Sequence, residues 1–260
     1  MRLPGRALAA LALAHLAACA TTCGDGTTKE KRAQLTHLDE GRAVVLENGA
    51  GTDASSAPAP LVVALHGRGD TPESFSDTFH AYPTRATFVF LRGPRSYGEG
   101  ASWFELHPKM TEAELAREVS DAREAVHARI AAIARGRRYA VVGFSQGGFL
   151  AFALAARYPS EIACALPIAG TLPEPLHPRP GAKLPDVFAF HGERDTKVPL
   201  EGARATAAAF TAAGGRAELV TYPTLGHTTD AEERQALGTK LDSCLEGLAK
   251  PAESALPSPP

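Results

Sequence analysis

Short apolar runs alternate with helix-patterned stretches along most of the chain. The runs lie at 42–47, 61–65, 87–91, 139–142, 163–169, 187–190 and 217–222. The run at 61–65, Leu-Val-Val-Ala-Leu, has no polar alternation, as expected of a parallel strand covered on both faces. Between the runs, 111–135 is the clearest helix. Leu115, Val119, Ala122, Val126, Ile130 and Ile133 recur at steps of three and four and form one apolar stripe. Thr111 followed by Glu114 makes a capping box at its start. Further helices are expected over 71–80, 147–156, 201–213 and 229–248, with Gly214-Gly215 stopping the one at 201–213. Pro167 is awkward for a central strand, and 171–185 holds five prolines and reads as an irregular excursion. Strands alternating with helices predict one α/β domain, a mostly parallel sheet with helices on both faces.

Composition adds little within the domain and more at its ends. With 260 residues, 44% of them hydrophobic, the chain is long enough for one large core. A net charge of −2 gives no reason to expect nucleic acid, and Arg135-Gly136-Arg137-Arg138 reads as a solvated turn. Residues 1–18 differ: Arg2 and Arg6 precede a stretch of almost pure Ala and Leu, too short to span a membrane and suited to a signal peptide. Leu16-Ala17-Ala18-Cys19 resembles a bacterial lipoprotein box, which would lipidate Cys19 and anchor an exported protein to the cell envelope membrane. Ala18-Cys19-Ala20 also fits ordinary signal cleavage, which would leave a soluble secreted or periplasmic protein. The expected layout is a signal at 1–18, a tether at 19–40, a catalytic domain at 41–249 and a disordered tail at 250–260. Export would let Cys164 and Cys244 pair, with two buried thiols as the alternative. No Cys/His spacing resembles a metal site, and no cofactor is called for.

The candidate chemistry starts at Gly143-Phe144-Ser145-Gln146-Gly147, a Gly-x-Ser-x-Gly between a strand and a helix. A serine hydroxyl is a weak nucleophile, so it needs a base in contact and a group to orient that base. In a parallel sheet, sites assemble where the strands end. Downstream of Ser145, Asp195 follows the strand at 187–190 and His227 follows the strand at 217–222. Ser145, Asp195 and His227 are therefore the expected nucleophile, orienting acid and base. His191 and His66 read as structural, and Asp230 as the cap of the last helix. The oxyanion of an acyl-transfer intermediate needs two N–H donors. The backbone N–H of Gln146 is one candidate, and that of Arg68, between Gly67 and Gly69, is the other.

With these pieces the chain resembles the phospholipase/carboxylesterase family of α/β-hydrolases, which includes acyl-protein thioesterases and small bacterial carboxylesterases. The resemblance rests on Leu65-His66-Gly67-Arg68-Gly69-Asp70, on Gly143 through Gly148 and on His191-Gly192-Glu193-Arg194-Asp195 with Val198-Pro199. It extends to Gly226-His227, Gly93-Pro94 and Ser102-Trp103-Phe104. It implies an α/β-hydrolase fold with a minimal lid, a small-molecule ester substrate, no cofactor, and Trp103 and Phe144 bordering the substrate. Many members carry leucine at the position of Arg68, and an arginine there argues against a long-chain, lipid-like substrate. Polyester depolymerisation or release of phenolic acids from plant polysaccharide is the alternative within hydrolases. A non-catalytic lipoprotein that uses the fold for binding is the alternative outside them.

Overall fold

The computed structural model describes residues 36–38, 42–48 and 58–249. The expected signal peptide, Cys19, Cys23 and the tail at 250–260 lie outside the described residues. Eight strands form one sheet: β1 (Thr36–Leu38), β2 (Ala43–Asn48), β3 (Leu61–Leu65), β4 (Ala86–Leu91), β7 (Tyr139–Phe144), β8 (Ile162–Ile168), β9 (Asp186–Gly192) and β10 (Ala217–Tyr222). Their spatial order is β1-β2-β4-β3-β7-β8-β9-β10. From β4 to β10 every neighbour is parallel, while β2 runs antiparallel to both β1 and β4. A two-stranded hairpin, β5 (Arg95–Tyr97) with β6 (Gly100–Ser102), stands apart from the sheet.

The absence of alternation in β3 has its cause in the layering. Each of its five residues is buried, and successive side chains feed two separate cores. Leu61, Val63 and Leu65 join the core under α2 (Glu112–Ala134), α3 (Gln146–Arg157) and α4 (Leu200–Ala212). Val62 and Ala64 join the core under α1 (Pro72–Ser76) and α5 (Ala231–Ala249). Thr111 caps α2 with both halves of the expected capping box in place. Of its stripe, Val119, Ala122, Val126 and Ile130 are buried in the first core, and Leu115 and Ile133 pack at its margin.

Several expectations need correction. β1 falls inside the segment read as tether and pairs with β2 from Thr36↔Val45 to Leu38↔Ala43. It is a three-residue edge strand with exposed Thr36 and His37, so no apolar pattern announces it. The helix expected over 71–80 ends at Ser76, and tight turns such as Phe79 N–H to Ser76 O carry the chain onward. Between β4 and α2, where no apolar run lies, the chain forms the β5–β6 hairpin. Pro167 does sit in a strand with neighbours on both sides, and the ladder to β9 skips Leu166 and Pro167, where a ring nitrogen has no hydrogen to donate. Cys164 of β8 and Cys244 of α5 are joined, with Sγ atoms 2.05 Å apart, tying the last helix to an inner strand of the sheet.

Candidate active site

Strand β7 delivers the chain to Ser145 and α3 leaves from it, so the serine occupies a turn with almost no room. Its backbone has φ 53° and ψ −116°, a conformation L-residues rarely adopt. A Cβ on Gly143 would lie 2.1 Å from Gly147 O, and one on Gly147 would lie 1.9 Å from Leu65 O. Both glycines of the motif are thus required by close backbone approach. The Ser145 N–H donates to Ile168 O of β8 at 2.9 Å, which fixes the turn against the neighbouring strand end.

Two further strand ends bring the remaining expected residues to this point. His227 Nε2 lies 2.9 Å from Ser145 Oγ, and His227 Nδ1 lies 2.6 Å from Asp195 Oδ2. The Asp195 side chain is fully buried, and its other oxygen accepts the N–H groups of Lys197 at 2.8 Å and Val198 at 2.9 Å. A carboxylate so held has one orientation, with Oδ2 left for the imidazole. With Nδ1–H donating to Asp195, Nε2 is the acceptor facing the serine hydroxyl. Glu193, two residues before Asp195, instead accepts from Thr221 Oγ1 at 2.7 Å. His191, expected to be structural, is buried and bonds Val198 O at 2.8 Å.

The expected oxyanion residues flank the serine. In the loop after β3, His66 is buried, and burial holds its pKa below the usual imidazole value. Gly93 N–H donates to its Nε2 at 3.0 Å, so the proton resides on Nδ1, which donates to Gly67 O at 2.6 Å. Neither Arg68 N–H nor Gln146 N–H has a protein acceptor among the described residues. The Arg68 side chain is at the surface: Nη1 donates to Leu106 O at 2.8 Å, and the guanidinium lies over the Tyr97 ring at 4.9 Å.

Phe144 is half-buried with its ring centroid 5.1 Å from that of His227. Trp103 is not where the resemblance puts it. It is 2% exposed, and its indole N–H donates to His66 O at 2.8 Å, so it supports the loop from beneath instead of bordering the substrate. Its bulk needs the core, and its one polar atom finds a buried partner there.

Two features escaped the sequence reading. The side chain of Gln146 is buried and knots residues 102–104, where the β5–β6 hairpin ends, to the elbow. Its Oε1 accepts from Trp103 N–H at 3.0 Å and Ser102 Oγ at 3.1 Å, and its Nε2 donates to Phe104 O at 2.8 Å. A lone amide heading an otherwise apolar helix was the available signal. The second is a cavity of about 250 Å³ between α1 and α5, walled in part by His227 and Phe144. Glu233 lines it, 1% exposed, with Oε2 lacking any hydrogen-bond partner among the described residues. Burial, reinforced by Asp230 and opposed by Arg234, raises its pKa to about 8. Among the described residues no cluster of His, Cys, Asp and Glu could hold a metal ion.

Comparison with known proteins places this geometry. Residues 51–245 match the phospholipase/carboxylesterase family. A probable carboxylesterase of Oryza sativa subsp. japonica is 34% identical over 198 residues, covering 67% of this chain and 83% of that protein. A second probable carboxylesterase of the same plant is 31% identical over 221 residues, covering 72% and 82%. Among solved structures, esterase PE8 superposes with a TM-score of 0.67 at 22% identity, over 82% of this chain and 100% of that one. Zea mays acyl-protein thioesterase 2 gives a TM-score of 0.62 at 19% identity, over 78% and 99%. At those identities the structural likeness establishes the fold.

Proposed function

The chain belongs to the phospholipase/carboxylesterase family of α/β-hydrolases and is a carboxylic ester hydrolase, and we propose that it works through an acyl-enzyme on Ser145. The observation that carries this reading is the unbroken chain of contacts from Ser145 Oγ to His227 Nε2 and from His227 Nδ1 to Asp195 Oδ2. His227 takes the hydroxyl proton as Ser145 Oγ attacks the ester carbonyl carbon. Asp195 holds the imidazole in the required tautomer and stabilises its charged form. The free N–H groups of Arg68 and Gln146 receive the oxyanion, and the latter also stands at the positive end of α3. His227 then gives its proton to the departing alcohol oxygen. In the second half, water loses a proton to His227 and attacks the acyl carbon, and His227 returns that proton to Ser145 Oγ as the acid leaves.

Hydrolysis of aryl esters of graded acyl length by the purified protein and by Ser145→Ala tests the reading. A loss of about 10⁴-fold or more in kcat is expected, since the nucleophile and its base act as one unit. Equal rates for the two proteins would end it.

Export is part of the same proposal. The leader pattern at 1–18 supports it, and the bonded Cys164 and Cys244 suit an oxidising compartment. Intact mass of the protein recovered from a bacterial host checks the anchor: a diacylglyceryl adduct on Cys19 is expected, and a chain starting at Thr21 refutes it.

A further inference from the structure

The cavity beside His227 is not used by the chemistry above. Its position relative to the reacting atoms is set by that chemistry: His227 Nε2 must protonate the leaving oxygen, so the alcohol part of an ester lies on the His227 side of Ser145. His227 and Phe144 wall the cavity there, and it runs between α1 and α5 to Ser74 and Thr78 on one side and Glu233 on the other. The cavity has a volume of about 250 Å³. That suits a small alcohol moiety.

The polar lining then bears on which alcohol. A buried carboxyl oxygen without a partner is costly to the fold, and Glu233 Oε2 is such an atom. A hydroxyl bound against the Glu233 carboxyl, on the wall of the cavity, gives this acid a hydrogen-bond partner, whereas an alkyl group leaves it without one. Burial and Asp230 keep Glu233 largely uncharged at neutral pH, and Arg234 shares the lining, so a cationic alcohol gains nothing there. An uncharged carboxyl can both donate to and accept from a hydroxyl.

Resting on the serine-esterase reading, we propose that this cavity is the alcohol subsite and that Glu233 selects esters whose alcohol carries a further hydroxyl, a small polyol, over esters of plain alkyl alcohols. Butyrate as the common acyl group isolates the alcohol. The wild-type enzyme is expected to favour glyceryl monobutyrate over propyl butyrate in kcat/KM. Glu233→Met lowers the ratio of the two about tenfold, the loss of one hydrogen bond together with the desolvation left unpaired. Glu233→Gln, which still donates and accepts, keeps the ratio within about twofold. Ser74→Phe, at an exposed position of the rim, narrows the entrance and also lowers the ratio, without touching Glu233. A second readout uses 4-nitrophenyl butyrate as acyl donor with equal glycerol and 1-propanol: acyl transfer to glycerol dominates in the wild type and loses its advantage in Glu233→Met. Equal losses on both esters in Glu233→Met, or an unchanged ratio in the Met and Phe variants, would overturn the subsite. Activity that persists in Ser145→Ala would instead overturn the acyl-enzyme reading on which the subsite depends.

Discussion

Replacing Glu233 by Gln should stabilise the fold, and by an amount that depends on pH. The side chain is 1% exposed, and burial, with help from Asp230, moves its pKa from 4.5 to about 8. The groups facing it are Asp230 and Arg234 on its own helix and Tyr222 from β10, with His227 and Asp70 on the same cavity. Because the folded-state value is raised, the native protein holds a proton that the unfolded chain gives up between pH 4.5 and 8. Stability therefore falls as pH rises through that window, carries no penalty below it, and levels off above it. At 1.36 kcal/mol per pH unit, the penalty is about 1 kcal/mol at pH 5, about 3 at pH 7 and close to 5 at pH 9. Glu233→Gln has no ionisation to suppress, so its advantage over the wild type should grow by that course. Urea denaturation of both proteins at the three pH values reads it, since every other titrating group is common to the pair. An advantage that stays constant from pH 5 to pH 9 refutes the account, because it would mean that the carboxylate ionises in the folded protein as it does in water.

Two further outcomes are expected. Gln146→Leu removes both bonds to the 102–104 backbone and leaves the buried Trp103 N–H without an acceptor, so it should cost about 3 kcal/mol in urea denaturation and lower kcat/KM for aryl esters at least about tenfold; stability within about 0.5 kcal/mol of wild type would remove the knot from the account. Opening the Cys164–Cys244 bond frees a loop of 80 residues, for which chain entropy gives roughly 4 kcal/mol, and an unfolding midpoint that does not change with reductant would refute that contribution.

What could be read from the sequence was decided by which side chains report on their own surroundings. Strands buried on both faces must be apolar throughout, so 61–65 and 139–142 declared themselves, and with them the strand ends that carry Ser145 and, further along, Asp195 and His227. An exposed edge strand such as β1 is held by backbone bonds that any residue can make, and Thr-His-Leu carries no sign of it. Trp103 illustrates a different limit. Its neighbourhood in sequence placed it near the site, but a loop has two sides, and only packing decides that the indole turns inward to His66.

Glu233 shows the same limit at its sharpest. Asp230 followed three residues later by Glu233 has the spacing of a capping box, which would occupy both side chains at the start of α5. Only half of the box forms: Asp230 Oδ1 accepts Glu233 N–H at 2.8 Å, while no hydrogen bond returns from the Glu233 carboxyl to the cap. At Thr111 and Glu114 both halves close, the glutamate is at the surface, and its pKa is held below the usual value by the backbone and hydroxyl of Thr111. The same four-residue pattern thus ends in opposite states of ionisation, and the difference lies in what faces the carboxyl: solvent at the start of α2, and a cavity against His227 at the start of α5. A helix cap needs no second carboxyl in that place, and a buried acid that stabilises nothing is retained at a cost to the fold. That cost makes sense where the carboxyl has a ligand to meet.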